Sequence, residues 1–128
     1  MKKDWREATP KGDLEQVRRL LEQGVDIDSK DEHGQTALMH AAHEGRTELV
    51  RLLIDRGADM NVTAKYNFTA LMLSLIAHHP EIARTLIEAG AEADGHCRMG
   101  LQEKSVLRLA EDGRYSEIAS LLRQRGAA

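Results

Sequence analysis

The sequence has few aromatic residues and no long apolar run. Only four of its 128 residues are aromatic, namely Trp5, Tyr66, Phe68 and Tyr115. A core must therefore be built from Leu, Ile, Val, Ala and Met, and such cores are typical of closely packed helices. The longest apolar runs are far shorter than the roughly 20 residues that a membrane helix requires, so no membrane partner is expected.

The sequence also has little cysteine and no block of positive charge. Cys97 is the only cysteine, so no disulfide can form within the chain, and a cytoplasmic location is expected. Lysines and arginines are scattered among acidic residues, and the formal net charge is −3. Nucleic acid is therefore not an expected partner, because no basic block could neutralise a run of phosphates. No apolar stretch follows the lysines after Met1, so a secretory signal is not expected.

A repeat of 33 residues organises the chain. Gly24, Gly57 and Gly90 are spaced by 33, and each follows a leucine-rich run and precedes an acid-rich segment. The segments Thr36-Ala-Leu-Met39 and Thr69-Ala-Leu-Met72 keep the same step. Self-similarity at a fixed period of this length predicts stacked structural units.

A fourth copy of the repeat contains an insertion. Its markers, Ser105 and Gly126, lie 36 residues beyond their counterparts in the third copy, whereas the earlier step is 33. The three extra residues fall in the connection between about Asp94 and Lys104. We therefore expect a longer connection there, and helices of ordinary length on either side.

Each unit is predicted to contain two short helices and a turn. Thr36 suits the N-cap of the first helix, because its hydroxyl can accept a free backbone N–H of the first turn. Gly45 ends that helix where a positive φ is easiest for glycine. The second helix then has a wide apolar stripe of Leu49, Val50, Leu52, Leu53 and Ile54, and Gly57 ends it. Gly34 is expected at the tip of the connection between units.

Three segments of the second copy resemble the ankyrin repeat: Gly34-Gln-Thr-Ala-Leu-Met-His-Ala-Ala42, Glu44-Gly-Arg-Thr-Glu-Leu-Val-Arg-Leu-Leu53 and Gly57-Ala-Asp-Met-Asn61. The resemblance covers roughly residues 5–126. It implies an all-α solenoid of four stacked helix-turn-helix units with projecting β-turn fingers. The implied repeats, of which the outer two are atypical, span about 1–31, 32–64, 65–99 and 100–128.

The sequence departs from the family pattern at two points. The family's Thr-Pro-Leu-His motif is Thr-Ala-Leu-Met in two copies, so the polar network that the family histidine makes is not expected. His40 lies one position further along and is not assigned that role. His78 stands where the previous copy has Gly45, which predicts a strained or reshaped turn in the third repeat.

The resemblance implies a protein that binds another protein, as adaptor or inhibitor, through a concave surface of fingers and first helices. It implies no catalytic residue and no cofactor, and we expect a monomer when the protein is free. The alternative is a permanent accessory subunit of a larger assembly. The residues expected to contact the partner are Lys30, Glu32, His33, Gln35, His43, Glu44, Lys65, Tyr66, Phe68, Ile76, Gln102 and Lys104.

Two groups of apolar residues leave alternatives open. Tyr66 and Phe68 lie on one finger, where exposed aromatics favour a binding patch that Ile76 could extend. Alternatively, Phe68 folds back onto Ile76 or onto the third repeat and only fills a gap. Met99 and Leu101, in the enlarged connection, either cover the last repeat or contact the partner.

Histidines and the cysteine raise one further hypothesis, a metal- or redox-sensing protein. His40 and His43 are three apart on a helix, with His33 shortly before them, as a zinc site could require. However, His40 falls on the inward stripe and His43 on the exposed one, so separate histidines are favoured. Arg98 follows Cys97, and a nearby cation can lower a thiol pKa. An ordinary thiol is still favoured, because no positioned base accompanies it.

Overall fold

The computed structural model describes residues 1–127, which form eight α-helices, one short 3₁₀ helix at Lys65–Asn67 and one hairpin of two strands. The first helices of the four pairs are α1 Lys3–Lys11, α3 Ala37–Glu44, α5 Ala70–Ile76 and α7 Val106–Asp112. The second helices are α2 Leu14–Glu22, α4 Thr47–Asp55, α6 Pro80–Glu88 and α8 Ser116–Gln124. The strands are β1 His96–Met99 and β2 Gln102–Ser105.

The helices form two layers. The first helices contact one another in the order α1, α3, α5, α7, and α4, α6 and α8 do the same in the second layer. Each first helix also packs on the second helix of its own pair. The predicted stack of four helix pairs is therefore confirmed, and the hairpin is an addition to the expected all-α composition.

Three of the first helices begin at a hydroxyl cap. Thr36, Thr69 and Ser105 accept a hydrogen bond from the backbone N–H three residues further on, at 3.3, 3.3 and 3.0 Å. An N-cap of this type contributes about 1 kcal/mol. Because the caps recur with the 33- and 36-residue steps, they start each helix pair at an equivalent place.

The core is aliphatic, as the composition predicted. Leu38 and Leu71 of the first helices and Leu53 of a second helix are almost completely buried. Trp5 lies 33 residues before Leu38, at the position that leucine occupies in the later repeats, and it is also completely buried. The first repeat thus fills its part of the core with one large ring.

The turn within each helix pair contains a residue in the left-handed conformation. Gly12 and Gly45 have φ of 66° and 77° there. The equivalent residues of the third and fourth repeats are His78 and Arg114, with φ of 66° and 60°. This conformation is strained for residues with a Cβ, so the strain predicted at His78 is confirmed and a second strained turn is found at Arg114.

Side chains of the following repeat contact these turns. We call these side-chain contacts the turn clamps. Arg46 donates a hydrogen bond to the carbonyl oxygen of Pro10 at 2.6 Å. His79 places its ring against the turn of the second repeat. The hydroxyl of Tyr115 lies 2.8 Å from Nδ1 of His78. Each clamp therefore ties a turn to the next helix pair along the chain.

Three extended connections between repeats project as fingers. A backbone hydrogen bond closes the first two, at 3.0 and 2.8 Å, and strand pairing closes the third. The third finger has eight residues and the others five, so the predicted insertion between Asp94 and Lys104 is confirmed and builds the β1–β2 hairpin. The first, second and third fingers are residues Asp31–Gln35, Ala64–Phe68 and Cys97–Lys104.

Polar contacts join the loops that lead into successive fingers. Oδ1 of Asp28 accepts a hydrogen bond from the backbone N–H of Asp59 at 2.9 Å. Oδ1 of Asn61, one repeat later, accepts from the backbone N–H of Glu92 at 2.9 Å. The acid-rich segments of the sequence therefore hold neighbouring connections at a fixed spacing.

Candidate functional site

The twelve predicted contact residues lie on the fingers, on the first helices or, for Lys30, directly before the first finger, and none is buried. We call this region the finger surface. Eight of the twelve are exposed: Lys30, Glu32, His33, His43, Glu44, Lys65, Tyr66 and Gln102. The other four are half-buried: Gln35, Phe68, Ile76 and Lys104. Their contact with a partner stays a prediction.

The two aromatic residues of the second finger have different surroundings. Tyr66 is 58% exposed, and Nζ of Lys65 lies 5.4 Å from the centre of its ring. Phe68 is half-buried and packs against the core, as does Ile76. The packing alternative therefore describes Phe68 and Ile76, while Tyr66 remains available to a partner.

This difference predicts unequal effects of two matched substitutions. Phe68→Ala should lower the free energy of unfolding by about 2 kcal/mol, roughly half the cost at a fully buried aromatic site. Tyr66→Ala should change it by less than about 0.5 kcal/mol, as for most exposed positions. Urea denaturation of the two single variants measures both values, and equal losses would contradict the assignment.

The third finger exposes two apolar side chains whose role the sequence left open. Met99 is 37% exposed and Leu101 is 98% exposed. Leu101 lies in the two-residue loop between β1 and β2, and with that exposure it cannot cover the last repeat. The suggestion that it does so is therefore wrong. The three-residue insertion is the sequence signal that could have indicated the exposure of Leu101, because it lengthens the third finger beyond the others.

A polar contact joins the first finger to α3. Nε2 of His40 lies 2.7 Å from Oδ2 of Asp31, and Oδ1 of Asp31 accepts backbone hydrogen bonds from His33 and Gln35 at 2.9 Å each. Burial acts to raise the pKa of Asp31, but the hydrogen bonds from Gln35, His40 and His33 outweigh it and hold the pKa below its ordinary value. His40 thus has a polar role in the finger surface that the sequence did not reveal.

The lowered pKa predicts how Asp31→Asn changes stability with pH. A carboxyl whose pKa is lower in the folded state contributes stability above its unfolded pKa, and loses it as pH falls through the folded pKa. At pH 7 the variant should therefore be less stable, by about 1–3 kcal/mol for lost charged hydrogen bonds. Denaturation at pH 7 and at pH 3 should show this deficit shrinking in acid. A loss of stability that is equal at pH 7 and pH 3 would contradict this prediction.

An open polar groove separates the third finger from α7. It is lined by Gln102, Glu103, Lys104, Arg108 and Asp112. Oδ2 of Asp112 lies 2.6 Å from Nζ of Lys104, and its Oδ1 lies 3.0 Å from Nε of Arg108. The hydrogen bond from Lys104 holds the pKa of Asp112 below its ordinary value. The predicted contact residue Lys104 is therefore already engaged by its own chain.

Cys97 does not have the properties of a reactive thiol. It is buried in β1, and burial raises the pKa of its thiol, an effect that a backbone hydrogen bond and the positive charge of Lys104, its pairing partner on β2, only partly oppose. A raised pKa lowers the fraction of thiolate, which is the reactive species. The ordinary thiol that the sequence favoured therefore agrees with the structure, because desolvation outweighs the positive charge of Lys104.

The histidines do not form a metal site in the described part of the chain. Within residues 1–127, no three His, Cys, Asp or Glu side chains are placed so that they could hold a metal ion. His40 contacts Asp31 while His43 is exposed, as the divergent faces of α3 predicted. In the same part of the chain, no helix combines the length and apolar character needed to cross a bilayer.

Comparison with known proteins identifies the stack. Residues 6–97 match the family model for ankyrin repeats, in three copies. The chain belongs to the ankyrin-repeat family. The fourth helix pair of this ankyrin stack, α7 and α8, lies beyond the matched segment.

A solved structure resembles the ankyrin stack over almost its whole length. It is that of the Bd0816 predatory endopeptidase from Bdellovibrio bacteriovorus in complex with the immunity protein Bd3460. The match has a TM-score of 0.87 and 26% sequence identity, and covers 98% of this chain. This chain spans 64% of the length of the matched one. A search of curated proteins finds no match. Ankyrin repeats are protein–protein interaction modules, so the finger surface belongs to a fold that serves binding.

Proposed function

We propose that this ankyrin-repeat protein binds one partner protein on its finger surface and acts as an inhibitor of that partner. The observation that carries the proposal is the match over 98% of the chain, at a TM-score of 0.87, to a chain from a complex of an endopeptidase with an immunity protein. By this similarity, the partner class that fits best is a hydrolase of the endopeptidase kind, and this chain takes the part of the immunity protein.

The composition of the finger surface supports the proposal. The surface combines exposed charged and polar side chains, such as Glu32, His43 and Lys65, with the exposed apolar Tyr66, and interfaces likewise combine apolar and polar residues. A stack of four helix pairs offers enough area for a standard interface of roughly 1,600 Å². We propose that the free protein is a cytoplasmic monomer, in which the buried Cys97 stays reduced.

The test begins with capture of the partner from native lysate, followed by purification of the captured protein. Its affinity for this chain is then measured by calorimetry, and its hydrolytic activity is measured with and without the chain. Lys65→Glu, on the second finger, is compared with Arg51→Glu, an exposed residue of α4 in the other layer. Both substitutions change the charge equally.

We expect Lys65→Glu to weaken binding by about tenfold or more and Arg51→Glu by less than about twofold. Activity of the partner should fall when the wild-type chain is added. Binding that weakens only with Arg51→Glu would place the interface on the second-helix layer and contradict the proposal. A captured protein that never separates from the chain and keeps its activity would favour the accessory-subunit alternative.

A further inference from the structure

Three large apolar side chains of residues 1–127 are exposed, and all lie at the tips of two neighbouring fingers. They are Tyr66 on the second finger and Met99 and Leu101 on the third, and we call them the tip patch. Nδ2 of Asn67 donates a hydrogen bond to the carbonyl oxygen of His96 at 2.6 Å. The two fingers are therefore held side by side, and the three side chains share one end of the molecule.

The third finger projects further than the others. Its three extra residues are divided between two antiparallel strands, so at about 3.4 Å per residue its tip stands about 5 Å beyond the neighbouring tips. Leu101 lies at that tip and is 98% exposed. A partner surface must be concave to remove a projecting apolar side chain from water completely, because a flat surface would leave the sides of that side chain in contact with solvent.

The charges beside the tip patch are mostly positive. Lys65 lies beside Tyr66, and Arg98 lies next to Met99, where its Nε is 3.4 Å from the carbonyl oxygen of Gly100. Glu103, opposite Arg98 in the hairpin, is the acid of this group. The chain as a whole carries a net charge of −3. The tips therefore differ in sign from the average surface, and they complement a partner surface rich in carboxylates.

We propose that the tip patch anchors the interface, and that the partner is a protein with a concave apolar pocket bordered by carboxylates. Leu101 inserts into this pocket while Lys65 and Arg98 face its acidic border. The proposal rests on the proposed function and adds which residues of the finger surface carry the binding energy. It gives the central place to Leu101, for which the sequence left contact with the partner as one of two alternatives.

A photo-crosslinking amino acid placed singly at Leu101, His43 or Ser120 tests the position of the anchor. His43 lies on α3, away from the tips, and Ser120 is an exposed control in the second-helix layer. Irradiation in native cells is followed by mass spectrometry of the crosslinked peptides. We expect adducts from position 101 to a partner segment of apolar residues flanked by Asp or Glu.

The other crosslinking outcomes have distinct meanings. Adducts from position 43 alone would overturn the anchor and leave the proposed function intact. Adducts from position 101 to a basic or wholly polar segment would also overturn the anchor. Adducts from position 120 alone, or from none of the three, would count against the proposed function itself.

The partner that crosslinking identifies is then purified in its free form, and its affinity for matched variants at position 101 is measured. Leu101→Asp should weaken binding by about 30-fold or more, mainly through faster dissociation, whereas Leu101→Met should stay within about threefold. Thermal unfolding checks that neither variant loses stability, as the 98% exposure of Leu101 implies. Equal affinities of wild type and Leu101→Asp would overturn the proposal.

A projecting leucine beside positive charges could also bind a lipid surface. The same variants distinguish this possibility from binding to a protein. Sedimentation with vesicles of phosphatidylcholine and phosphatidylglycerol should leave the wild-type chain in solution. Binding to the vesicles that is lost in Leu101→Asp would overturn the protein pocket in favour of a membrane.

Discussion

Leu71→Ala is expected to lower the free energy of unfolding by about 3–5 kcal/mol, the upper part of the range for buried leucine. Leu71 is 1% exposed in α5, which lies between α3 and α7 in the first-helix layer. Removing its side chain leaves a cavity that rigid neighbours on both sides cannot fill. Urea denaturation followed by circular dichroism measures the loss.

Leu107→Ala is the matched control for Leu71→Ala. Leu107 occupies the same position of the repeat, 36 residues later, but it is half-buried because α7 has a first-helix neighbour on one side within the described chain. The cost should be about 1–2 kcal/mol, because less surface returns to water. Equal costs at the two positions would show that burial between neighbours is not what stabilises the stack.

Trp5→Ala is expected to cost about 3–5 kcal/mol, as for other fully buried aromatic residues. Trp5 is completely buried in α1, which contacts α3, and it stands where the later repeats have leucine. Within the described chain, α1 has a first-helix neighbour on one side only, so this repeat depends on each large contact more than a central repeat does. Loss of Trp5 should therefore release α1 and α2 before the rest unfolds.

Trp5→Phe separates packing from hydrogen bonding at this site. Within residues 1–127, the indole nitrogen of Trp5 has no hydrogen-bond partner, so phenylalanine removes no hydrogen bond and keeps most of the ring. We expect a cost of about 1–2 kcal/mol, from the smaller volume alone. Hydrogen exchange of the α1 and α2 amides checks the local effect. Equal losses from Phe and Ala would indicate that the indole N–H has a partner after all.

The sequence was sufficient for the architecture because the fold repeats its own signals. Thr36, Thr69 and Ser105 mark helix starts through a local hydrogen bond, and Gly45 marks an end through a backbone conformation. Such signals act over three or four residues and need no knowledge of distant contacts. Counting the spacing then located the insertion as well.

Details of the finger surface depend on contacts that spacing does not specify. Tyr66 and Phe68 are two residues apart, yet one is exposed and the other packs against the core. The pairing of Asp31 with His40 joins residues on different elements, and an ankyrin motif that lacks its usual histidine gave no reason to expect it. The exposure of Leu101 follows from hairpin formation, which three inserted residues permit but do not by themselves require.

The turn clamps give the stack a direction. Each clamp reaches from one repeat to the turn before it, so a turn loses its support when the repeat that follows is absent. Removing the last helix pair would take Tyr115 away from His78, whose backbone is already strained at φ 66°. Shortening the chain from its beginning would instead leave each of the remaining clamps in place. Truncation from the end should therefore damage the surviving protein more than truncation from the start, even when the same number of helices is lost.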